Sequence, residues 1–245
     1  MLAIIGGSGL ARLADLERSE RRALDTPYGK PSAALTFGEL AGRRVLFLAR
    51  HGDAHDVAPH EVNYRANLWA LKEAGAREVV SVATVGGIAE RASPGAILVP
   101  HQLIDYTWGR PSTFFEGPGV PVRHIDFTEP YSAALRDRLL AAARACGEPV
   151  ADGAVYGVTQ GPRLETAAEI ERMARDGADI VGMTAMPEAA LARELDLPYA
   201  ALAVVANHAA GRADSRRAIP LEAIPAVLEE AMRRVRRILQ QVCRS

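Results

Sequence analysis

Cysteine is scarce: Cys146 and Cys243 are the two in 245 residues. They stand far apart and make neither a CxxC pair nor a metal-ligand spacing, so a disulfide framework is not expected and both thiols read as reduced and structurally ordinary. A surplus of charge is also lacking. Lys and Arg number 29 against 30 Asp and Glu, for a net charge of −1, whereas a nucleic-acid binder usually carries a basic excess. No uninterrupted apolar run approaches the roughly 18 residues of a membrane span. The first residues have neither the basic start nor the small-residue cleavage site of a secretory leader. The expectation is a soluble, cytoplasmic protein with no nucleic-acid partner and no membrane partner. Three motifs are missing too: the GxGxxG spacing of dinucleotide folds, the Lys of a P-loop and the Glu of HExxH. His51, His55 and His60 are close in sequence, but Gly52 and Pro59 deny them a helix, so no metal is expected there.

What is present is a long alternation of apolar strands and amphipathic helices, with hydrophobic residues at 49% and no linker or repeat. The pattern predicts an α/β fold over 1–245 as a single domain, a mixed central β-sheet flanked by helices. Strands are expected at Leu2 to Ile5, at Ala33 to Phe37 as an edge strand, at Arg43 to Ala49, at Glu78 to Thr84 with a break at Gly86-Gly87, at Ala96 to Ile104, at Ala154 to Thr159, at Ala178 to Val181 and at Leu197 to Ala206. Helices are expected over Asn63 to Ala74, Leu135 to Cys146, Thr166 to Arg175, the run after Pro187, and Leu221 to Val242, the last with Arg233, Arg234, Arg236 and Arg237 on a solvated face. Residues 105 to 130 form an unusually long irregular segment, a length that usually marks function or an interface.

Ligands of open α/β sheets gather at the carboxyl ends of strands. Four such ends carry suitable groups. Gly6-Gly7-Ser8-Gly9 offers free N–H groups and a hydroxyl, Arg50-His51 a forked cation and an imidazole, Ala83-Thr84 a small glycine-flanked turn, and Gly182-Met183-Thr184 a hydroxyl at a helix start. Taken singly, the first reads equally as a plain turn and the last as a capped helix entry.

Seven motifs in order carry a family resemblance: Gly6-Gly7-Ser8-Gly9, Arg50-His51-Gly52, Val62-Asn63-Tyr64-Arg65-Ala66-Asn67, Gly86-Gly87-Ile88, the run from Arg110 to Gly117, the run from Gly161 to Thr166, and Gly182-Met183-Thr184 with Pro187-Glu188. Over almost its whole length the chain resembles the trimeric purine nucleoside phosphorylase and methylthioadenosine phosphorylase family. The resemblance implies phosphorolysis of a purine nucleoside, a homotrimer, and no metal or organic cofactor, inorganic phosphate being a co-substrate. It implies that Ser8, Arg50, His51, the backbone of Ala83 and Thr84, and Thr184 bind phosphate, with Asn207 and His51 the catalytic residues and Met183 against the ribose. Ala83 departs from relatives, which usually carry Asn or Thr there.

The resemblance also bears on the substrate. Branches acting on 6-aminopurines carry Asp where this chain has Asn207, and 6-oxopurine enzymes place a Glu where it has Glu165, beside Leu164; the pair favours hypoxanthine or guanine. Asn207 by itself reads also as a strand-end turn residue. At the 5′ end of the sugar, relatives that take a free hydroxyl use a His, whereas here Ile219 to Ile224 contains none. Leu221 and Ile224 suit a methylthio group, or are simply the apolar face of the last helix, and His124 is a candidate to arrive from a neighbouring subunit. Together these imply 5′-methylthioinosine. The alternatives are an inosine or guanosine phosphorylase, a methylthioadenosine phosphorylase, or a nucleoside-binding protein without activity.

Overall fold

Five consecutive buried residues make β1 (Leu2–Gly6). In the computed structural model, which describes residues 1–13 and 15–244, it lies parallel between β4 (Arg43–Ala49) and β5 (Glu78–Gly87). The other edge of β5 takes β11 (Tyr199–His208), again parallel. Four strands thus end on one side of the sheet. Beyond β4 come β3 (Leu35–Leu40) and β2 (Glu17–Arg22), both added antiparallel. At the far end of β5, β10 (Ile180–Gly182) pairs antiparallel through Val181 and Gly86, followed by β9 (Val155–Val158) and β7 (Gln102–Asp105). Two short strands, β6 (Ile97–Val99) and β8 (Ala151–Asp152), continue from β11 and complete an 11-stranded mixed sheet.

Both faces of the central strands are covered, which is why they read as continuous apolar runs. Ile4, Val80, Val82 and Leu202 point to one side, where α2 (Ala133–Ala145) and α5 (Ile224–Arg244) pack on them. Ala3, Ile5, Val79 and Ala201 point to the other, under α1 (Tyr64–Glu73) and α4 (Ala185–Glu194). The fifth helix, α3 (Ala167–Arg175), lays Ile170 and Met173 against Val181. Its start carries a capping box between Thr166 and Glu169. No helix among the described residues is long and apolar enough to cross a membrane.

Several elements differ from the sequence expectation. The strand expected at Ala33 to Phe37 is present but shifted to Leu35–Leu40, and it is not an edge strand, because β2 pairs along it. The sequence of β2, Glu-Arg-Ser-Glu-Arg-Arg, is exposed at every position and has no apolar alternation to reveal it, while its charges suit a sheet edge. Gly86-Gly87 does not break β5. A Cβ on Gly87 would lie 1.7 Å from the Ala92 carbonyl oxygen, so glycine serves a close backbone approach rather than a turn. The run Ala96 to Ile104 is two strands, because Pro100 separates segments that pair with different neighbours. Leu221–Ala223 is a 3-10 turn before α5. Arg234 is not solvated: it bonds Glu148 and the carbonyls of Gly95 and Pro149, whereas Arg233 is exposed.

Candidate active site

The parallel strands β1, β4, β5 and β11 deliver Ser8, Arg50-His51, Thr84 and Asn207 to one end of the sheet. β10, running the opposite way, brings Met183 and Thr184 alongside. Between them is a cavity of about 450 Å³ lined by these residues together with Leu164, Glu165, Leu221 and Ile224.

At its inner end Arg50 is fully buried. Its Nε and Nη2 donate to the two oxygens of Glu188 at 2.6 and 2.9 Å, Nη2 also to Ser81 Oγ at 2.6 Å, and Nη1 to the Val82 carbonyl at 3.1 Å. The expected forked presentation to an anion is therefore corrected: Glu188 holds the fork, and one Nη1–H is left for a ligand. Burial opposes the charge on Arg50, but the Glu188 carboxylate overrides it and raises the guanidinium pKa further. Removing either partner would leave a buried charge uncompensated, at a cost of about 3–5 kcal/mol. Tyr199 Oη donates to Glu188 at 2.8 Å and completes the network.

Burial, reinforced by the adjacent Arg50 cation, pushes His51 down to about 4, so its ring is neutral at pH 7. The Nδ1 atom is 2.9 Å from the Val57 carbonyl oxygen and must be the donor there, which leaves Nε2 as an acceptor. Thr84 Oγ1 donates to the Ser8 carbonyl at 3.0 Å, and Ser8 Oγ lies 3.2 Å from His55 Nε2. Thr184 stands at the N-terminus of α4 with no capping bond from its side chain. A Cβ on Gly7 would fall 2.6 Å from the Val82 carbonyl oxygen and 2.9 Å from Arg50 Nη1, so only glycine lets the first loop approach this closely.

At the opposite end a bulge in β11 matters. Val205 pairs with Val85 but Asn207 pairs with Gly86, so Ala206 is an extra residue and the Asn207 side chain is re-aimed. Asn207 Nδ2 donates one hydrogen to the His208 carbonyl at 2.7 Å, leaving its second N–H and Oδ1 for a ligand. Glu165 accepts from Thr159 Oγ1 at 2.6 Å through one oxygen. Nearby, Ile219, Ile224 and Leu228 make an apolar flank, and Leu221 is 59% exposed at its rim.

Two of the named residues lie outside the lining of this chain's own cavity. Ala83 is buried among Val85, Leu98 and Ala203 and does not line the cavity, because its neighbour Thr84 takes the inward position of the strand alternation. His124 is exposed on the long segment and outside the cavity lining. Sequence reasoning did not single out Ser81 or Tyr199, and took Glu188 and Arg110 only as parts of motifs. A lone Ser or Tyr in an apolar strand carries no local signal of a buried polar partner.

The pattern of the Phosphorylase superfamily matches residues 1–244 of the chain. A probable S-methyl-5′-thioinosine phosphorylase of Xanthomonas campestris is 55% identical over 215 residues, 88% of this chain and 86% of that protein. The 6-oxopurine nucleoside phosphorylase of Pyrococcus furiosus is 44% identical over 86% of this chain and 80% of its own. Among solved structures, methylthioadenosine phosphorylase from Schistosoma mansoni in complex with adenine superposes with a TM-score of 0.93 at 31% identity, covering 99% of this chain and 90% of that one.

Proposed function

The chain belongs to the phosphorylase superfamily, and from that premise we propose that it phosphorolyses 5′-methylthioinosine to hypoxanthine and 5-methylthioribose 1-phosphate. The observation that carries the substrate is the make-up of one cavity, lined both by the polar Asn207 and Glu165 and by the apolar Ile219, Leu221, Ile224 and Leu228. The free N–H of Asn207 suits O6 of a 6-oxopurine, its Oδ1 suits a protonated N7, and the second oxygen of Glu165 suits N1–H. An amino group at C6 would face the donor of Asn207 and an unprotonated N1 would face the carboxylate, so adenine is disfavoured on two counts.

Phosphate enters at the Arg50 end. One of its oxygens attacks C1′ as the C1′–N9 bond breaks, and the bonding pair leaves with the purine, which takes up a proton from solvent as the new phosphate ester releases one. Positive character grows on the sugar and negative charge on the base in the transition state. Placement and hydrogen bonding supply the rate, with no covalent intermediate on the protein. Ser8, the remaining N–H of Arg50, Thr84 and Thr184 surround the anion; neutral His51 accepts a hydrogen bond from a phosphate P–OH through Nε2. Asn207 meets the departing base. The reaction as read needs no metal or organic cofactor. A homotrimer, with His124 reaching a neighbouring subunit's site, and a cytoplasmic role in purine salvage complete the proposal.

The test is phosphate-dependent base release from 5′-methylthioinosine, methylthioadenosine and inosine, side by side. Preference for the first is expected. Dominant cleavage of methylthioadenosine would reject the reading of Asn207 and Glu165; dominant cleavage of inosine would reject the apolar 5′ pocket and favour the activity named for the Pyrococcus relative. Nucleoside binding without base release would indicate the non-enzymatic alternative.

A further inference from the structure

Arg110 stands in the long segment between β7 and α2, yet its residue is only 9% exposed. Among the described residues no carboxylate lies within ion-pair distance of it. Every N–H of its guanidinium nonetheless has an acceptor. Nε donates to Gln160 Oε1 at 3.1 Å, Nη1 to the carbonyls of Met183 at 2.8 Å and Met186 at 2.6 Å, and Nη2 to those of Thr159 at 3.2 Å and Gln160 at 2.7 Å. The guanidinium also sits 5.6 Å from the centre of the Tyr64 ring.

These acceptors belong to two segments that leave the sheet side by side. Thr159 and Gln160 follow β9 and lead directly to Leu164 and Glu165; Met183 and Met186 follow β10 and flank Thr184. Carbonyls past the ends of two neighbouring strands lie outside the sheet ladder, and both sets lie within reach of the one guanidinium. A planar cation with donors on several edges can bind both sets at once, which a lysine, with three donors on one point, cannot.

We infer that Arg110 is a positioning residue that fixes the wall carrying Leu164 and Glu165 against the strand end carrying Met183, and so sets the width of the purine slot. The inference rests on the reading of this cavity as a nucleoside site. Of the phosphate end, Thr184 lies on the clamped strand end, while the Arg50–Glu188 pair and the Thr84 bond to Ser8 anchor the rest, so loss of the clamp falls mainly on the nucleoside.

The experiment is steady-state kinetics of Arg110→Met and Arg110→Lys with nucleoside and phosphate varied independently, alongside thermal melting. Nucleoside kcat/KM is expected to fall about 100-fold, the usual consequence of misplacing a reacting group by about 1 Å. The KM for phosphate is expected to rise far less than the nucleoside term falls, since of the phosphate groups Thr184 lies on the clamped strand end while Ser8, Arg50 and Thr84 keep their own anchors, and Lys is not expected to rescue. Equal losses for both substrates, unchanged nucleoside kinetics, or full recovery with Lys would each overturn the clamp. Should the Met variant not fold, the Lys variant decides alone. Base release by the wild type is the control: were it absent, the proposed function would fail, and calorimetric affinity for free hypoxanthine would read the clamp instead, equal binding by wild type and Lys variant overturning it.

Discussion

Asn207 has one amide hydrogen committed to the His208 carbonyl, so its remaining donor and acceptor are both presented with little freedom to exchange roles. Replacing it by Asp removes the donor that suits O6 and supplies an acceptor for a 6-amino group. Asn207→Asp is therefore expected to raise the ratio of methylthioadenosine to methylthioinosine turnover at least about tenfold, the worth of one hydrogen bond at a desolvated site. An unchanged ratio would show that Asn207 does not read the 6-position. His51 lends itself to a pH test. Its folded pKa lies at about 4, below the ordinary 6.5, so between these values the unfolded chain takes up a proton that the native one refuses. The stability contributed by the neutral ring is whole above pH 6.5 and is lost as pH falls toward 4. His51→Asn keeps a donor for the Val57 carbonyl without titrating, so its melting temperature is expected to fall less than that of the wild type over that window; parallel curves would reject the neutral, buried ring. Both residues were legible in sequence because they stand at the carboxyl ends of apolar strand runs. Glu188 was legible only as a motif letter, since its role depends on Arg50, 138 positions away along the chain.

At the scale of elements, the site is a product of register. The bulge at Ala206 shifts β11 against β5 by one residue, and without it Ala206 rather than Asn207 would stand opposite Gly86. Nothing in the composition of Ala-Leu-Ala-Val-Val-Ala announces that shift, so a strand ending at Ala206 was the natural expectation. The first loop is constrained as tightly. Gly7→Ala would drive a Cβ into the Val82 carbonyl and Arg50 Nη1, both of them held by the buried pair. A large rise in the KM for phosphate is expected, with smaller change in nucleoside KM; kinetics with phosphate varied would detect it, and a wild-type phosphate KM would show that the loop has room to retreat. Helix boundaries were readable where caps are local, as at Asn63 and Thr166, whose side chains accept from backbone N–H groups three residues on.

For the whole molecule, the long segment between β7 and α2 leaves Trp108 71% and Val122 77% exposed in the single chain, and it carries His124. A homotrimer would be seen by light scattering as three times the chain mass of 26.2 kDa. A monomeric mass would remove the proposed role of His124 and leave Leu221 at an open rim. The sequence by itself determined the α/β alternation, the strand ends that bear Ser8, Arg50, Thr84 and Thr184, and the family, because periodicity and short motifs are written in neighbouring residues. Only the tertiary structure decided that Arg50 gives its fork to Glu188, that Ala83 turns into the core, that Arg110 ties two strand ends together, and that β2 closes the sheet. Each of these depends on groups far apart in the chain, where burial and unmet hydrogen bonds select the partner and no local pattern records the choice.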